Sequence, residues 1–149
     1  MNRRHMSVVL LGFALSLSLL GQARSESPKT EIQGAAILNH ACGKVAVKHM
    51  GLVHAGKMEE AGKLGTKEMQ DQWKSLPAKD REMMTEMMKE MSKTEEEFAA
   101  EIRAGGLLVV EGSKATLTVK QEHKDANGTV TSTLTQNYLL EGAGCRIAR

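Results

Sequence analysis

The chain has 149 residues, 20 lysines and arginines against 18 aspartates and glutamates, and only 3% aromatic residues. A chain of that length makes one compact domain. A nearly balanced charge with no basic tract excludes the electrostatic footprint of a nucleic-acid binder and the polybasic patch of a membrane-surface protein.

Arg3, Arg4 and His5 precede an apolar run over residues 6–20, and Gly21-Gln22-Ala23 places small residues where a signal peptidase reads. That is the pattern of a signal peptide over residues 1–23, cleaved after Ala23. The run is short for a membrane span of roughly 20 apolar residues. The expectation is a soluble periplasmic or secreted protein with no membrane anchor after cleavage. Removing Arg3 and Arg4 leaves 18 basic and 18 acidic residues. Cys42 and Cys145 both fall in the exported part, and an even count in an oxidising compartment predicts a disulfide between them.

Residues 24–31 are polar, contain Pro28 and read as a flexible leader, which leaves residues 32–149 as a single domain. A helix starts at Ile32 or Asn39 and runs to Ala55, with Cys42, Ala46, His49 and Val53 on one stripe. A shorter helix carries Met58, Ala61 and Leu64, and Thr66 can cap a further turn holding Met69 and Trp73. Pro77 suits the first turn of the next helix. From there to Ala104 the pattern is helical, with Met84, Met87, Met88 and Met91 on one face. Thr94 and Glu97 form a capping box where the helix can restart.

After Gly105-Gly106 the pattern changes to strands. Ala115, Leu117 and Val119 alternate with Thr116, Thr118 and Lys120. Val130, Leu134, Tyr138 and Leu140 share a face with Ser132 and Gln136, opposite Thr129, Thr131, Thr133 and Thr135. Alternation of this kind packs one face on helices and leaves the other to water or a partner. Asn127-Gly128 supplies a hairpin turn, and Cys145 and Ile147 share a face of the last strand. Helices followed by an antiparallel sheet define an α+β class.

The segment Glu111-Gly112-Ser113-Lys114-Ala115-Thr116-Leu117-Thr118-Val119 after the double glycine resembles the "G-[small]-K-A-x-[V/L]-x-V" strand of small exported members of the nuclear-transport-factor-like superfamily. Gly144-Cys145-Arg146-Ile147 is similar to their "G-x-W-[KR]-I" ending, with Cys145 in place of the aromatic. Val45-Ala46-Val47-Lys48-His49 through Gly56-Lys57-Met58-Glu59-Glu60-Ala61 resembles their early helix-and-turn. The resemblance implies a cystatin-like cone, with N-terminal helices packed on a curved sheet. Many such relatives are lipoproteins, but Leu19-Leu20-Gly21-Gln22 has Gln22 where a lipobox needs cysteine. The superfamily also holds isomerases and cyclases, and fold alone does not transfer their activity.

A cone enzyme needs a poised acid or base on the inner face. Asp71, Asp80 and Asp125 sit in polar contexts, and no nucleophile elbow, phosphate loop or zinc spacing is present, so no cofactor is expected. His49, Trp73 and Tyr138 are the polar-tipped candidates for the interior. His49 is either a satisfied core residue or a ligand-binding or catalytic group. The methionines have two readings. They fill an apolar core or contact surface, or Met84, Met87, Met88 and Met91 hold Cu(I), since thioethers are soft ligands. The threonine face is either solvated or the surface of a homodimer through the sheet.

The function expected from these residues is non-catalytic binding. A small apolar ligand, a peptide or an envelope protein would sit in a methionine-lined groove between helices and sheet, touching His49, Trp73, Met84, Met88 and Tyr138. A Cu(I)-handling protein and a cone-type enzyme using His49 with Tyr138 are the alternatives.

Overall fold

A computed structural model describes residues 27–149. The expected signal peptide, and Arg24, Ser25 and Glu26 of the expected leader, lie outside the described residues. Strand β1 (Lys29–Gln33) leads through a 3-10 turn (Gly34–Asn39) into α1 (Ala41–His54). Four more helices follow: α2 (Met58–Gly62), α3 (Lys67–Ser75), α4 (Ala78–Met91) and α5 (Glu95–Gly105). Strands β2 (Gly106–Glu111), β3 (Lys114–Asp125), β4 (Gly128–Glu141) and β5 (Gly144–Ala148) complete an antiparallel sheet of five strands in the order β1-β2-β3-β4-β5. The fold is α+β, helices on sheet.

The first strand corrects the expected leader. Residues 29–31 belong to β1, where Thr30 lies opposite Val110 and Ile32 opposite Leu108. A five-residue strand beside Pro28 is too short to announce itself by alternation. It forms by adding to the open edge of β2, with Ile32 set opposite the buried Leu108. Helix breaks follow local chemistry. The Thr66 side chain accepts from the Met69 N–H to start α3. At α5 both halves of the capping box form: Glu97 N–H donates to Thr94 Oγ1 at 3.2 Å and Thr94 N–H to Glu97 Oε2 at 3.0 Å.

The core lies between α1, α5 and one face of the sheet. Phe98 and Ile102 of α5 and Ile37 of the 3-10 turn pack on Leu108, Leu117 and Val119, all at most 1% exposed. Each such side chain stabilises the fold by roughly 1.5–3 kcal/mol through burial. The register Ala115 opposite Tyr138 and Val119 opposite Leu134 sets the inner face in phase across β3 and β4. Cys42 on α1 and Cys145 on β5 are joined by a disulfide, with Cα atoms 5.0 Å apart.

Two further expectations are corrected. Val130 does not face the helices; it is 53% exposed, because the β3–β4 hairpin runs past the end of the helical layer. The hairpin loop is Ala126-Asn127, since Asp125 already pairs with Gly128.

Candidate functional site

Helices α3 and α4 contain no fully buried residue, unlike α1 and α5. They stand off from the sheet as an outer wall, and the space behind them is a bent groove of two neighbouring cavities. The larger, about 550 Å³, lies between α1, α2, α3, α4 and strands β4 and β5. The smaller, about 360 Å³, lies between α1, α4, α5, β3 and β4. His49, Met88 and Gln136 border both and mark where the cavities meet.

The base of the larger cavity is fixed by a junction the sequence does not advertise. Thr66 N–H donates to Ile147 O and Ile147 N–H to Leu64 O, each at 2.9 Å, so the turn after α2 zips onto β5. Arg146 clamps the same turn. Its Nη1 donates to Lys63 O at 3.2 Å while its Nε donates to Glu141 at 2.7 Å. These bonds bring Met69, Trp73 and Ile147 to one wall.

The sequence-predicted residues divide cleanly over this space. His49, Trp73, Met84 and Met88 line the larger cavity, and His49, Met88 and Tyr138 the smaller. The methionine stripe of α4 is split: Met84 faces the larger cavity, Met87 and Met91 the smaller, and Met88 both. Met87 and Met91 are also 52% and 75% exposed, so they form the open lip of the groove.

Sequence reasoning missed Met50, Met58, Met69 and Gln136 as lining residues. With them, seven of the eight methionines among the described residues face the groove; only Met83 does not. The signal for Gln136 was present, since an amide on an otherwise apolar inner face asks for a reason. Its Nε2 donates to Ala148 O at 2.9 Å and Asn137 O at 3.2 Å, which leaves Oε1 without a partner among the described residues. Met50, Met58 and Met69 carried no such signal, because a lone methionine in a helix reads as filler.

Three polar groups of the groove are unpaired. Among the described residues neither ring nitrogen of His49 nor the Tyr138 hydroxyl has a hydrogen-bond partner. Burial lowers the His49 pKa and raises that of Tyr138, so both are neutral at neutral pH. The Trp73 Nε1–H is buried and unpartnered. A buried donor left without an acceptor costs on the order of 1–3 kcal/mol. Among the described residues no Asp or Glu side chain lines either cavity, Arg149 is the charged side chain in the lining of the larger one, and no cluster of three or more His, Cys, Asp or Glu forms there. The groove can hold an apolar body and touch it with a few polar groups, Arg149 among them. It does not assemble an acid–base pair of carboxylate and histidine.

Comparisons with protein-family models, with curated proteins and with solved structures find no match for the chain.

Proposed function

We propose that this chain is an exported, non-catalytic binding protein that holds a small apolar ligand in the methionine-lined groove behind α3 and α4. One observation carries the reading. Seven methionines from α1, α2, α3 and α4 converge on two joined cavities whose other walls are mostly apolar. Thioether side chains are flexible and polarisable, which suits ligands of irregular or variable shape. Concave apolar space of a few hundred Å³ with a handful of polar groups is the usual form of a small-molecule site. The disulfide and the signal-like first 23 residues support export to an oxidising compartment. Among the described residues no helix is long and apolar enough to cross a membrane.

Trp73, the sole tryptophan, lines the larger cavity and serves as the reporter. Titration with an apolar fluorescent amphiphile should quench Trp73 emission saturably, and Met88→Glu should abolish the effect by placing a charge where the cavities meet. Binding that is unchanged in Met88→Glu contradicts the groove.

A Cu(I)-handling role is the second reading, favoured by His49 and Met88 both lining the two cavities. Sub-micromolar Cu(I) binding that is lost when Met84, Met87 and Met88 become leucine supports it. Apolar-ligand binding that survives those leucine substitutions without Cu(I) binding supports the first reading.

A further inference from the structure

The β3–β4 hairpin has two free edges of opposite character. On the β3 side, pairing with β2 ends at Gly106 opposite Val119, and the strand beyond carries Lys120, Glu122 and Lys124. Charges of this kind keep an edge from pairing with another chain. On the β4 side, pairing with β5 begins only at Asn137, so residues 128–136 form an edge with no strand partner among the described residues. That stretch contains no charged residue and no proline. Every residue in it is exposed or half-buried.

The backbone of this edge is in phase for pairing. Leu140 N–H donates to Ser113 O at 2.8 Å, on the β3 side. Backbone groups alternate direction along an antiparallel strand, so Thr129, Thr131, Thr133 and Thr135 turn theirs to the free edge. The sequence of the edge is also complementary to itself. Two copies related by a two-fold axis at Ser132 place Thr129 opposite Thr135, Thr131 opposite Thr133 and Val130 opposite Leu134. Shifting the axis by one residue sets Val130 against Gln136 or Ser132 and loses the apolar pair. Cross-strand threonine pairs and apolar pairs both stabilise antiparallel sheets. Val130, 53% exposed and the one large exposed apolar residue of the sheet, gains a neighbour in Leu134 of the second copy.

We infer that β4 is a homodimerisation edge: residues 129–135 of two copies pair antiparallel about Ser132 and join the two sheets into one of ten strands. Because Leu134 and Gln136 also line the smaller cavity, Val130 of each copy extends the groove wall of the other. This inference does not depend on what the groove binds.

The test is sedimentation equilibrium of the purified, oxidised protein together with a cross-linking pair. The wild type should be a dimer that dissociates on dilution. T131K/T133K and T131E/T133E should each be monomeric, because each sets like charges opposite one another, and an equimolar mixture of the two should recover the dimer. Ser132→Cys should cross-link two copies across the axis, whereas Thr129→Cys, far from its own mate, should not. A wild type that stays monomeric at all concentrations overturns the inference. So does a dimer that survives T131K/T133K, a mixture that fails to associate, or a bound foreign peptide in place of the second copy. If a charge variant fails to fold, the contrast between Ser132→Cys and Thr129→Cys decides alone.

Discussion

Cys42 of α1 and Cys145 of β5 stand 103 residues apart in the sequence and 5.0 Å apart between Cα atoms. The bond pins the first helix to the last strand. Closing a loop of that size contributes roughly 4–5 kcal/mol on the chain-entropy model, a large share of the 5–15 kcal/mol that typical domains possess. Reduction should therefore shift the urea midpoint strongly downward, measured by circular dichroism with and without reductant. An unchanged midpoint would show that the bond is absent or idle.

Gly43 is where α1 meets the 3-10 turn. A Cβ there would lie 1.9 Å from the Ile37 carbonyl oxygen, and backbone cannot yield as a side-chain tip can. Gly43→Ala should cost about 1–3 kcal/mol or more by overpacking. Gly62→Ala, whose Cβ meets nothing within 4 Å, should be neutral or mildly stabilising. Paired thermal melts check the contrast.

The start of α5 rests on Thr94 and Glu97. Thr94→Ala should lower stability by about 1 kcal/mol. The Thr94 backbone and hydroxyl bonds hold the Glu97 pKa below its ordinary 4.5. The favoured form is the carboxylate, so the contribution is complete above pH 4.5 and is lost as pH falls through the lowered folded value. Acid titration of stability should show a smaller loss below pH 4.5 in Glu97→Gln than in the wild type.

Burial lowers the His49 pKa from the ordinary 6.5. The unfolded chain therefore takes up this proton first as pH falls. Stability is complete above pH 6.5 and declines from there to the folded value. NMR titration of the ring should give a midpoint below 6.5, and an apolar ligand in the groove should lower it further by excluding water. A midpoint at or above 6.5 would place His49 in solvent rather than at the groove.

Much of this architecture is legible in residues that obey one local rule. Thr94 with Glu97, Thr66 before Met69, and the alternation of Ala115, Leu117 and Val119 each specify an element without help from distant parts of the chain. The cysteines were legible for the same reason, because Cys42 lay on an apolar helical stripe and Cys145 on an apolar strand face. What was hidden depends on contacts between distant segments. β1 exists because a distant strand, β2, pairs with it. Val130 is exposed because the hairpin is longer than the helices above it, a length comparison no alternation pattern contains. The groove was half legible. The α4 methionines and His49 announced a face, but Met58 and Met69 join it only because the Thr66–Ile147 junction ties the turn between α2 and α3 to β5.

Methionine methyl NMR tests the groove most directly, because Met83 is a built-in control: it is 67% exposed and outside both cavities. On titration with a single-chain apolar amphiphile, the methyl signals of Met50, Met58, Met69, Met84, Met87, Met88 and Met91 should shift together and saturate, while Met83 stays in place. Shifts confined to Met83 and the exposed Met87 and Met91, or no saturable shift at all, would contradict a ligand held behind α3 and α4.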